Sequence, residues 1–189
     1  MMNRSGFTLV ETMVAIAILT VAIAGPLYAA ERATAAAYAA KDELTASYLG
    51  QEGIEYVRAM RDDTYLADYK TEPSDPTLAQ DSWSDFLSGL LASSVTTCTG
   101  AGVLCTFDPK QNIGSALAAC GGSGCTPLYT DGGGIYTQQS SGNTVTSFTR
   151  SIAFTALSSA AEKVVVSVSW KTDNTPYTIS VSDTLTPWQ

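Results

Sequence analysis

Histidine is absent from the 189 residues. That removes the commonest general base and the commonest metal ligand, and with them any Ser/His/Asp or Cys/His site. An enzyme reading would have to rest on carboxylates, lysine or tyrosine, and no constellation of these residues asks for one. Charge is also scarce. Ten Lys+Arg stand against 18 Asp+Glu, for a net charge of −8. The basic residues are scattered, so no basic patch forms, and an acidic surface repels phosphate backbones; direct nucleic-acid binding is not expected. Cysteine is confined to one stretch: Cys98, Cys105, Cys120 and Cys125, in a segment rich in Gly, Ser and Thr. An even number of cysteines beyond a membrane segment fits disulfides in an oxidising compartment.

Long apolar runs are absent too, except at the start of the chain. Residues 7–30 form one, interrupted only by Glu11. At about 1.5 Å per residue this run is long enough as a helix to cross a hydrocarbon core of about 30 Å. Arg4 precedes it, so the positive-inside tendency keeps this end cytoplasmic and sends the rest outward. A secretory signal peptide or a plain anchor is the simpler reading, and Ala22-Ile23-Ala24 even offers a small-residue cleavage site before Gly25. Glu11 argues against both. An acid within a span costs about 2.5–3.5 kcal/mol at mid-bilayer and less near the interface, and a plain anchor has no use for it.

The stretch Gly6-Phe7-Thr8-Leu9-Val10-Glu11 resembles the processing motif of type IV pilins and of the pseudopilins of type II secretion. The resemblance covers the leader and the first helix. It implies cleavage after Gly6 by a prepilin peptidase, N-methylation of the new terminus at Phe7, and packing of the helix into the core of a fibre. The partners it implies are other pilin subunits, the peptidase, a membrane assembly platform, and the cytoplasmic membrane before assembly. Cofactors are not implied, and a role for Glu11 in assembly is. Gly25-Pro26 should kink the helix or melt one turn, because proline removes a hydrogen bond and glycine weakens the helix beside it. Pilins of the major class usually have a proline about two residues later.

The expected organisation follows: leader 1–6, membrane half of the helix 7–30, and a head 31–189. Within the head, 31–61 continue the helix. Leu49, Gly53, Tyr56 and Met60 recur at helical spacing with Ile54 and Val57 beside them, a stripe that should pack on a sheet. Glu52, Glu55 and Arg58 are read as the solvated side. Residues 62–133 are read as a loop region holding one short helix, Asp81–Leu91, started by a box-like Ser82 and Asp85. Four cysteines allow three pairings; the two local loops, Cys98–Cys105 and Cys120–Cys125, are favoured. A zinc site made of all four would need two CxxC-like pairs, which neither spacing supplies. Asp131-Gly-Gly-Gly134 lacks the run of acids that calcium needs. Residues 134–189 alternate with a period of two. A hairpin of Gly134–Gln139 and Thr144–Thr155 is expected, followed by strands over Lys163–Lys171 and Tyr177–Leu185. The fold class is α+β: a long N-terminal helix packed on an antiparallel sheet of three or four strands, with a disulfide-bearing loop region.

On this reading the protein is a structural subunit of a pilus or pseudopilus, single-pass in the cytoplasmic membrane and later part of a fibre. The irregular head leans toward a minor subunit. The alternative is a fibre-tip adhesin or substrate-recognition module on the same scaffold, with the cysteine loops presenting the binding surface.

Overall fold

The structure is a computed structural model that describes residues 6, 8–92, 98, 102–112, 117–122 and 124–188. It has two compact units, Met1–Asp42 and Glu43–Gln189. The long helix α1, Leu9–Thr71, starts in the first and continues in the second.

In the first unit, the described residues up to Lys41 are all exposed, and the apolar start of α1 is long and hydrophobic enough to cross a membrane. Its few hydroxyls turn back on the helix: Thr12 Oγ1 donates to the Leu9 carbonyl at 2.8 Å and Thr20 Oγ1 to Ala17 at 2.9 Å. Polar atoms are thereby satisfied within the segment, as an apolar surrounding requires. Helix runs without interruption through Gly25 and Pro26. The expected melted turn is therefore absent: one missing N–H is tolerated when the turns on either side stay bonded.

In the second unit, seven strands rather than three or four build one antiparallel sheet among the described residues. They are β1 Cys105–Phe107, β2 Leu117–Ala119, β3 Pro127–Thr130, β4 Tyr136–Thr137, β5 Thr144–Ser158, β6 Ala161–Thr172 and β7 Thr175–Leu185. β6 pairs with β5 on one side and β7 on the other. β1 and β3 both pair with β5, at Ile152 and at Thr144–Thr149. β4 adds to β3 and not to β5, which corrects the expected hairpin. The β6–β7 hairpin turns at Asp173-Asn174, with φ of 49° and 67°, the left-handed pair that two-residue hairpins use.

α1 also exceeds its expected end at 61. Arg61-Asp62-Asp63 does not stop it; the residue before Pro73 cannot easily be helical, and α1 ends at Thr71. A second helix, α2 (Leu78–Ala92), begins earlier than expected. Thr77 caps it, its carbonyl accepting from Gln80 and Asp81. Ser82 lies inside the helix and donates to the Leu78 carbonyl, so it is not the cap. Trp83 Nε1 pins α2 to the β5–β6 turn through the Ser159 carbonyl at 3.1 Å.

The stripe on α1 is buried at Leu49, Gly53, Ile54, Val57 and Met60, joined by Ala46 and Gly50, while Tyr56 of the expected stripe is half-buried. Close approach requires Gly53, because a Cβ there would stand 2.7 Å from Val166 Cγ1. On β6, Val164, Val166, Val168 and Trp170 face α1. Among the described residues the core has two apolar clusters. One holds Ile54 and Val57 with Trp83, Phe86, Ile152, Phe154 and Val166. The other holds Ala46 and Leu49 with Leu128, Phe148, Val168 and Trp170.

Candidate functional site

The N-terminal motif is built around the start of α1. Gly6 is exposed, and among the described residues no atom lies within 4 Å of an added Cβ; Arg4 and Phe7 lie outside the described residues. Thr8 precedes the helix, and its Oγ1 accepts from the Glu11 N–H at 3.3 Å while its carbonyl accepts from Thr12 at 3.2 Å. Thr8 is thus the N-cap and Glu11 the third helical residue. The pattern Thr8-Leu9-Val10-Glu11 is that of a capping box, a signal the sequence itself carries. The acid also sits where the helix dipole favours negative charge. Among the described residues no ion pair reaches its carboxylate. Further along, Tyr28 and Arg32 pair through Arg32 Nε and the phenol oxygen at 3.0 Å. From Thr12 to Ala30 the helix has no charged residue.

The cysteines of the second unit form the bridges Cys98–Cys105 and Cys120–Cys125, with Cα–Cα distances of 5.8 and 4.5 Å. Cys98 and Cys105 are wholly buried in the larger cluster. Cys120 and Cys125 are half-buried around an exposed glycine turn. Sulfur held in a bridge is not a thiolate, so the four do not make a zinc site. Asp131 folds the Gly132–Gly134 turn: its Oδ1 accepts from the N–H groups of Gly133 at 2.9 Å and Ile135 at 2.8 Å, and Lys110 pairs with Oδ2. The Lys110 hydrogen bond, then the Ile135 amide, hold this carboxyl below the usual carboxylate range. The turn is closed by a protein cation, and its carboxylate is already engaged.

Between the two apolar clusters lies a polar centre that the sequence did not announce. Arg150 of β5 is wholly buried. Its guanidinium pairs with Glu52 of α1, donates to the Leu49 carbonyl at 3.3 Å and the Phe107 carbonyl at 3.4 Å, and lies 3.6 Å from the Phe107 ring centroid. Burial pulls its pKa down, and the charges of Glu52 and Asp108 oppose that pull. Tyr56 stacks on Phe107 at 4.3 Å; burial, then the Asp108 charge, push its phenol up to about 12. Asp108, also buried, accepts from Thr137 Oγ1 at 2.9 Å. The expected solvated side of α1 is therefore corrected at two positions. Glu52 reaches Arg150, and Arg58 reaches Asp183 of β7 at 2.9 Å. Alternation along β5 placed position 150 on a defined face; only its charge argued for solvent.

An open groove of about 540 Å³ runs between α1 and the loop before β4, lined by Tyr48, Leu49, Glu52, Ile135 and Tyr136. Among the described residues no group of acids, cysteines or histidines is arranged to hold a metal ion.

Residues 1–25 match the family described as the prokaryotic N-terminal methylation motif. Comparisons with curated proteins and with solved structures gave no match. At the head of its long apolar helix, the chain carries the class III signal of type IV pilins and pseudopilins.

Proposed function

We propose that the chain is a structural subunit, a minor pilin or pseudopilin, of a type IV pilus or type II secretion pseudopilus. The leader 1–6 is removed after Gly6, Phe7 becomes a methylated N-terminus, and the apolar half of α1 stays in the cytoplasmic membrane until assembly. The head is extracytoplasmic. Subunits, peptidase and assembly platform are its partners; the chain performs no chemistry and is itself the peptidase's substrate.

The observation that carries this reading is Glu11, an acid in the first turn of a helix that has no other charge before Glu31, five residues past Gly6. Cleavage creates an α-amino group on Phe7 with an unperturbed pKa of about 8. In a core of low dielectric that cation and the Glu11 carboxylate each need a partner. A cation at a helix N-terminus is disfavoured by its own dipole, so an acid on a neighbouring subunit is its natural complement. Such a pair forms in one axial register and selects one way of adding a subunit.

Mass spectrometry of the mature terminus tests the processing: methylated Phe7 is expected, and an intact Met1 or a start at Gly25 would overturn it. Glu11→Ala should remain processed and membrane-bound yet be missing from fibres; normal incorporation of that variant would sink the assembly role.

A further inference from the structure

β7 is the outer strand of the three longest in the sheet. It pairs with β6 in unbroken register, from Thr172↔Thr175 to Glu162↔Leu185, and among the described residues no strand pairs with its other side. Long free edges invite pairing with other chains, and stable domains blunt them with lysine, mid-strand proline, bulges or a cover. β7 has none of the first three. It contains no lysine, its proline is the second residue, and its register lacks the shifts found in the β3–β5 and β5–β6 pairings. The exposed face of β7, Thr178, Ser180, Ser182 and Thr184, is neutral.

The face toward α1 is more particular. Ile179 and Val181 are half-buried, with Val181 against Gly50. Next along the strand, Asp183 accepts from Arg58 Nε at 2.9 Å, and the same guanidinium holds Glu55 at 2.6 Å. Two carboxylates share one cation, which leaves a surplus negative charge beside the edge. The Glu55 side chain is 66% exposed. A strand added to β7 would lay alternate side chains along this strip.

We infer that the β7 edge takes up an extended segment of another polypeptide by strand addition. That segment has small apolar residues toward Val181 and a lysine or arginine toward Glu55 and Asp183. Backbone hydrogen bonds supply affinity, and the acid pair supplies selection. A second β7 fits poorly. Each copy carries a net charge of −8, and an antiparallel β7–β7 pair would set the two α1 helices in opposite directions. This last point alone rests on the fibre reading, in which all subunits share one polarity.

The test uses full-length protein in detergent micelles, without fibres, so its outcome is independent of the assembly proposal. The probe is an acetylated, amidated peptide of about nine residues, with threonine at even positions, valine at odd ones and lysine at the centre. Amide hydrogen exchange over residues 177–185 should slow several-fold on adding it. A peptide with N-methylated backbone amides should have no effect, and one with central glutamate should bind more weakly. Glu55→Lys should reverse the preference between the lysine and glutamate peptides. Unchanged exchange with the lysine peptide overturns the inference, as does equal slowing by the N-methylated one. Slowing that appears without peptide and grows with protein concentration overturns it in favour of self-pairing.

Discussion

Arg150 of β5 meets Glu52 of α1 at the seam between the two apolar clusters, with Phe148 on one side of it along the strand and Ile152 on the other. The pair ties α1 to β5 where the two apolar clusters meet.

Arg150→Ala should destabilise the head by about 2–5 kcal/mol, mainly by emptying a buried site, because the Glu52 side chain it leaves behind is 40% exposed. Arg150→Met, which fills the space and removes the charge, should cost clearly less. Denaturant melts of the three proteins in detergent check this; equal losses for both variants would show that the loss comes from the charge pair and not from volume, and an Arg150→Met variant as stable as the parent would show that charge pairing contributes nothing beyond volume.

Gly53→Ala sets two effects against each other. Alanine gains about 1 kcal/mol of helix propensity, while overpacking costs about 1–3 kcal/mol. The added Cβ would meet both Val166 methyls, at 2.7 and 2.9 Å, and a β-branched side chain has little rotamer freedom to retreat. Net destabilisation is expected, recovered at least partly in the Gly53→Ala/Val166→Ala double variant. A double-mutant cycle with no coupling would refute the contact.

Stability should fall as pH rises above about 10. The unfolded Tyr56 phenol ionises near 10, while in the folded head it holds its proton up to about 12. Between these values the unfolded state binds fewer protons, so unfolding is favoured. Tyr56→Phe should flatten that part of the profile, read by thermal melts from pH 9 to 12. Glu162 is the acidic counterpart: burial raises its pKa, so its charged form weighs on the fold at neutral pH. Glu162→Gln should raise Tm at pH 7, and the gain should shrink as pH falls.

The two disulfides should not be equivalent. Chain entropy alone assigns each about 2–2.5 kcal/mol. Cys98 and Cys105 are wholly buried among apolar residues, so Cys98→Ser/Cys105→Ser also places two hydroxyls in the core. Its loss should exceed that of Cys120→Ser/Cys125→Ser, whose residues are half-buried. Comparable melting temperatures would contradict this ranking.

Much of this fold was legible where a period was strong. The α1 stripe and the strands over Lys163–Lys171 and Tyr177–Leu185 followed from spacing. Three kinds of feature did not. Strands β1 to β4 are two to four residues long, too short for alternation to register; β1 and β3 form on the edge that the long β5 offers, and β2 and β4 add to them. The last turns of α1 read as loop because Asp62 and Asp63 are acidic, yet Tyr65 there packs against Trp188 at 5.5 Å, a contact that joins residues far apart in the chain. Arg150 was hidden because charge argues for solvent until a partner from another element is known. In the N-terminal motif Glu11 stands out by its oddness in an apolar run, while its favourable place at the helix start depends on Thr8, three residues earlier.

The polar links between α1 and the rest of the head have a mechanical side. Glu52, Arg58 and Arg61 span about 13.5 Å along the helix axis, and they hold Arg150, Asp183 and the Thr186 carbonyl respectively. A pull along α1 loads these ties in shear and together, like stitches across a seam, where a pull away from the sheet would open them one by one. The head is built to resist tension transmitted through its own helix better than peeling.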